Sequence, residues 1–165
     1  MTNQNPEQIA RDKIDQMLEL VGWVVQQKKK VDLGASKGVA VREYQTDVGP
    51  ADYVLFVDKK PVGIIEAKRE EEGHRLTIVE DQSLDYAKAK LKYLDNDPLP
   101  FVYESTGTIT RFTDYRDPKP RGRNVFSFHK PETIAEWLKK DGSLRERLLS
   151  MPELDATGLR PAQIV

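Results

Sequence analysis

Residues 51–68 read ADYVLFVDKKPVGIIEAK, and this stretch decides the fold. Two apolar runs, 51–57 and 62–68, flank Asp58, Lys59, Lys60 and Pro61, the composition of a tight turn between two buried strands. Side chains alternate along a strand, so Val62, Ile64, Glu66 and Lys68 share one face while Gly63, Ile65 and Ala67 share the other. Pairing about the turn brings Asp52 roughly opposite Ala67, beside Glu66. Two carboxylates and a lysine therefore converge at the end of a buried hairpin, where an unpaired charge is costly without a metal or counter-charge.

Outward from the hairpin, residues 39–44 add a third strand, and the three form a meander. Upstream, Asn5 caps a helix over residues 6–21, Pro6 suits its first position and Gln8 completes a capping box. Ala10, Ile14, Met17, Leu18 and Val21 fall on one stripe, and Gly22 ends it. Residues 23–25 read as a short strand and 28–38 as a basic loop. Downstream, helical spacing returns over 78–94, followed by strands at 101–103, 108–112 and 125–128 and short helices at 131–138 and 144–149. This order predicts an α/β fold, a central mixed β-sheet flanked by helices.

At 165 residues the chain has room for one domain of typical size. With 26 Lys+Arg against 27 Asp+Glu the net charge is -1, so a polyanionic partner would have to use local patches. The absence of cysteine excludes disulfides, thiolate zinc sites and cysteine nucleophiles, and two histidines exclude a histidine-rich metal cluster. No apolar run approaches the roughly 20 residues of a membrane span, and the expected setting is cytoplasmic.

Metal chemistry, on this composition, must use carboxylates. A hard cation such as Mg²⁺ takes oxygen ligands, which suits Asp52, Glu66 and the backbone carbonyl of Ala67, with Lys68 beside a metal-bound water. That is the equipment of phosphodiester hydrolysis. A cross-strand charge pair explains Glu-x-Lys about as well on these residues alone.

Further stretches bear on the choice. Arg11 to Asp15 with Gly22-Trp23, Val41-Arg42-Glu43-Tyr44, Ala51-Asp52-Tyr53, Glu66-Ala67-Lys68, Gln82-Ser83-Leu84-Asp85-Tyr86, PLPFVYESTG from Pro98 and the segment from Phe126 to Thr133 together resemble the N-terminal nuclease domain of the restriction (R) subunit of type I restriction-modification enzymes, in the PD-(D/E)xK nuclease superfamily. The resemblance covers nearly the whole chain and implies a restriction-endonuclease-like core. It implies catalytic roles for Asp52, Glu66 and Lys68, supported by Gln82 and Tyr86 of a Gln-x-x-x-Tyr motif. It also implies Mg²⁺ with Mn²⁺ as a substitute, double-stranded DNA as substrate, and modification and specificity subunits as partners. The pattern departs in one place: Pro50 precedes Asp52 by two residues.

Gln82 and Tyr86, four apart, share one helix face, as a core tyrosine with a glutamine at its rim also would. Glu7 falls on the stripe facing the sheet, as a first-helix metal-site carboxylate would, or serves as an N-terminal charge favoured by the helix dipole. Loop cations at Lys28, Lys29, Lys30, Arg121 and Arg123 are candidate DNA contacts, with a solvated face as the alternative. His74 and His129 are given no catalytic role. Residues 158–163 resemble the lead-in to a helicase-like motor, and no phosphate-binding Gly-x-x-x-x-Gly-Lys-Ser/Thr loop occurs. The expectation is a nuclease domain over 1–150, a linker start over 151–165, and ATP use confined to motor domains outside this chain. A free-standing repair or recombination nuclease and a non-catalytic DNA-binding or assembly module are the alternatives.

Overall fold

The computed structural model describes residues 5–71, 88, 90–91, 94, 97–152 and 157. Helix α1, Pro6–Leu20, starts at Asn5, whose side chain accepts from the Glu7 amide at 3.3 Å. Gln8 does not close a capping box; its amide donates forward to Asp12 at 2.8 Å, one helical turn on. Ala10, Ile14 and Leu18 are buried, as their spacing requires, and Gly22 leaves the helix at φ 96°, a left-handed conformation that favours glycine.

Seven strands follow: β1 (Val24–Gln27), β2 (Gly38–Thr46), β3 (Gly49–Val57), β4 (Lys60–Ala67), β5 (Phe101–Ser105), β6 (Thr110–Asp114) and β7 (Arg123–Val125). They pair in sequence order into one sheet, parallel at β1·β2 and β4·β5 and antiparallel elsewhere. Helices α2 (Pro131–Leu138) and α3 (Leu144–Leu149) close the described chain. The expected meander and mixed sheet are both present. The expected helix over 78–94 lies almost wholly outside the described residues.

Each sheet face has its own core. Ile14 and Leu18 of α1 and Ile134 and Ala135 of α2 pack with Tyr53, Leu55, Ile65, Tyr103 and Phe112, while Val39, Val41, Val54, Phe56 and Ile64 cluster on the opposite face with Leu91 and Leu99. His129 is half-buried and hydrogen-bonded, its Nδ1 2.6 Å from the Tyr103 hydroxyl, and desolvation lowers its pKa to about 4.

Three local expectations are corrected. The β3–β4 turn uses two residues, Asp58 and Lys59, both at positive φ (48° and 68°), the geometry of a type I′ hairpin that matches sheet twist. A bulge then makes Val62 the extra residue between Phe56↔Pro61 and Leu55↔Gly63. Val62 consequently packs with Ile65 and not with Ile64. Strand β7 ends at Val125, where the sequence suggested a beginning: Phe126 is fully exposed, and Phe128 turns into the core without joining the ladder.

Candidate active site

The site lies where β3 enters the sheet and β4 and β5 leave it. The β3–β4 register at Tyr53↔Ile65, carried one residue further, sets Asp52 opposite Glu66, and Glu66 pairs with Glu104, so the three acidic residues stand in one row across three strands. Asp52 thus stands beside Glu66, as expected, although the two-residue turn and the bulge together make Glu66, and not Ala67, its register partner. Ala67 still takes part: its amide donates to Asp52 Oδ2 at 2.9 Å.

The neighbouring row of β2 is distorted. Glu43 has φ 50°, which a side-chain-bearing residue rarely adopts. Before it, Val39 and Val41 face the Leu91 side; after it, Tyr44 does, so the alternation has reset at Glu43. Opposite, Ala51 and Val54 share that face in the same way. The reset lets consecutive residues, Arg42 with Glu43 and Asp52 with Tyr53, all reach α1.

Helix α1 meets them with Arg11 and Asp15, one turn apart on the stripe. Arg11 donates to Asp52 Oδ1 at 2.5 Å and lies 3.6 Å from Glu43, which Lys28 approaches at 3.3 Å. Asp15 accepts from the Tyr53 hydroxyl at 2.7 Å and pairs with Arg42 at 3.2 Å. Burial works against the charge on Arg11, but Asp52 and Glu43 more than offset it and hold the guanidinium above its usual pKa. Arg42 and Tyr53 face α1 by ordinary strand alternation, whereas Glu43 and Asp52 reach Arg11 only through the distortion at Glu43, which no glycine announces in the sequence. The i, i+4 spacing of Glu7, Arg11 and Asp15 was the available signal.

Asp52 is thus fully engaged, whereas Glu66 is not. The residue is buried, only 8% exposed, yet Oε1 has no hydrogen-bond partner. Burial first, then the charge of Asp52, push its pKa up to about 8, against the nearby Lys68 ammonium, with Glu104 adding a smaller upward push. Lys68 follows the end of β4, its amide bonded to the Ser105 carbonyl at 2.8 Å. The orphaned Glu66 oxygen beside Asp52 fits a hard divalent cation, with Asp52, Glu66 and the Ala67 carbonyl as the protein's oxygens. Among the described residues no third acidic or histidine side chain joins them as a ready-made cluster.

The other candidates divide. Glu7 stands at the start of α1 and pairs with Arg69 at 3.1 Å, directed past the end of β4. Lys28 is at the site's end of the sheet, as the parallel pairing Gln27↔Arg42 requires, and Lys29 and Lys30 are exposed nearby. Arg123 is opposite Phe112 on β7, three strands from β4 or about 14 Å at normal strand spacing, and Arg121 precedes it, so neither is brought to the carboxylates. Gln82, Tyr86 and His74 lie outside the described residues.

A seven-stranded mixed sheet covered by helices, with acidic side chains at the ends of its central strands, defines a restriction-endonuclease-like α/β domain. Residues 24–110, more than half of the chain, match the family of the type I restriction enzyme EcoKI endonuclease subunit second domain, and the chain belongs to that family. It is 26% identical over 208 aligned positions to the type I restriction enzyme EcoKI endonuclease subunit of Escherichia coli K12, an alignment covering 93% of this chain and 18% of that subunit. The chain therefore spans about a fifth of that relative's length. The fragment structure of a protein assigned as an HsdR subunit of a type I restriction enzyme from Vibrio vulnificus YJ016 has the same fold, with TM-score 0.56 and 20% identity over 82% of this chain and 25% of that one. The R-subunit resemblance read from the sequence is borne out.

Proposed function

We propose that this chain is a Mg²⁺-dependent DNA endonuclease domain of a type I restriction enzyme R subunit, acting on double-stranded DNA within a complex of modification and specificity subunits. Mn²⁺ substitutes for Mg²⁺, and ATP is consumed by motor domains outside this chain. The observation that supports the reading most is the buried, partnerless Glu66 Oε1 beside Asp52.

When bound, the cation polarises a phosphoryl oxygen and lowers the pKa of its water. Asp52 and Glu66 hold it through carboxylate oxygens, and Arg11 and the Ala67 amide fix the Asp52 carboxylate in place. The Lys68 ammonium orients the attacking water or steadies charge developing on the phosphate. Gln82 and Tyr86 support the site by the family pattern, and Glu7 contributes at its rim. The chain's net charge of -1, with Lys28 already facing Glu43, fits DNA delivered by other parts of the enzyme.

Calorimetry with Mn²⁺ tests the reading. Wild-type protein binds, and Asp52→Ala and Glu66→Ala each abolish the heat; binding unchanged in both variants sinks the proposed site. In the assembled complex, Lys68→Ala loses DNA cleavage while keeping ATP hydrolysis, and wild-type cleavage by that variant removes the role given to the lysine.

A further inference from the structure

The other end of the sheet carries a second charged recess. Asp114 ends β6 opposite Phe101, three residues before Glu104 along β5, so this end lies about 10 Å along the strands from the Glu66 row and two strands to the side. A cavity of about 260 Å³ there is lined by Arg116, Arg123, Lys140, Arg145 and Arg147, around Asp114 and Asp117.

Two of the five cations are neutralised locally. Arg116 grips Asp114 with bonds of 3.0 and 2.8 Å and also donates to the Trp137 carbonyl, and Arg145 stands 3.5 Å from Asp117. Arg123, Lys140 and Arg147 have no carboxylate at ion-pair distance among the described residues. Glu136, whose charge Lys140 feels, is already bonded to Lys139 at 2.7 Å, and the Glu146 carboxylate lies against Gly142 on the rim. Arg123 is held in position over the buried Phe112 ring, 5.3 Å from its centroid.

Three cations without counter-charges repel one another, and a concave wall focuses their field, so the recess favours an anion. Its volume is below the roughly 300–1,000 Å³ of sites that enclose a whole small molecule, and it suits phosphate groups better than a complete cofactor. Positive charge continues outside: Arg145 is shared with an open depression lined also by Lys119 and Arg121.

We propose that this recess is a phosphate-binding site, separate from the Asp52 and Glu66 pair, in which Arg123, Lys140 and Arg147 contact the phosphate groups of a nucleic-acid backbone or of a free polyphosphate. The proposal stands independently of the nuclease reading, since it requires no divalent cation and no residue of that site. Lys140 and Arg147 are both exposed, so their removal leaves the core intact.

The test is done in EDTA at low salt, with wild-type protein and the double variant Lys140→Ala, Arg147→Ala, after their melting curves are shown to coincide. Inorganic tripolyphosphate is titrated by calorimetry and a labelled DNA duplex by anisotropy. The double substitution weakens binding by about tenfold or more and, for the duplex, flattens the dependence of log K on log salt by about 2, as the loss of two phosphate contacts requires. An effect on the duplex alone assigns the site to a nucleic-acid backbone; an effect on tripolyphosphate alone assigns it to a free polyphosphate. Equal affinity and salt slope in both proteins, or no binding of either probe to wild type, overturns the proposal.

Discussion

Glu66 sets the electrostatic character of the site because a buried carboxyl with one unbonded oxygen resists ionisation. Its folded pKa, about 8, lies above the ordinary 4.5, so the folded state holds the proton more tightly than the unfolded state does. The sign follows: the group does not oppose folding below pH 4.5, and its cost grows as pH rises from there through about 8. In EDTA the melting temperature should fall over that interval, and Glu66→Gln, which cannot ionise, should flatten the fall. A variant with the wild-type pH profile would mean that the carboxyl titrates normally.

Arg11 gives a second expectation at this scale. With Arg11→Ala, Asp52 loses a charge-assisted bond in a partly buried setting, which costs about 2 kcal/mol. Thermal melts in EDTA should show that loss, and added Mn²⁺ should raise the variant's melting temperature more than the wild type's. An equal rise in both would show that Arg11 does not take the place of cationic charge at Asp52. Asp52, Glu66 and Lys68 were legible in the sequence because charges abutting apolar strand runs stand out against a period of two. Arg11 was not: a lone arginine on a helix stripe becomes meaningful only once the left-handed turn at Glu43 brings β2 and β3 side chains to meet it.

At the level of elements, the site rests on a close junction of β4 and β5. A Cβ on Gly63 would lie 2.5 Å from the Phe101 carbonyl oxygen, a backbone atom that cannot swing aside. Gly63→Ala should therefore force β4 from β5 and cost about 2 kcal/mol, read as a melting temperature several degrees lower. Because β4 carries Glu66, Mn²⁺ affinity should fall as well. An unchanged melting temperature would show that the two strands have slack. Elements with strong local punctuation were legible in outline: proline opens α2 at the expected residue, and Asn5-Pro6 opens α1. The hairpin interior was less so. Pro61 and Gly63 flank the bulge, as such residues often do, but do not tell which residue is the extra one, and a one-residue shift sends Val62 to the other face. Strand β7 was displaced because Phe126 and Phe128 alternate like strand residues, whereas the ladder is made by the polar Arg123 and Asn124.

Taken whole, the molecule presents an acidic row where chemistry is proposed and, at the far end of the sheet, the recess cations Arg123, Lys140 and Arg147. Glu43, Asp52, Glu66 and Glu104 stand across successive strands, with Arg11, Lys28 and Lys68 as their nearby cations. With a net charge of -1, long-range attraction cannot bring a duplex to that row. Nothing among the described elements projects as a recognition helix for the major groove, so contacts made by these elements would read phosphates and not base edges. The isolated chain should therefore bind duplex DNA weakly, with a steep salt dependence and equal affinity for unrelated sequences, and should cut slowly even with Mg²⁺ present. Divalent cations should strengthen binding somewhat by neutralising the acidic row, unlike monovalent salt, which only screens. Gel shifts from low to physiological salt on unrelated duplexes, with Ca²⁺ as a non-hydrolytic substitute, measure all of this together. Tight binding to one sequence at physiological salt, or rapid cutting by this chain alone, would show that it carries its own means of capturing DNA and would favour a free-standing nuclease.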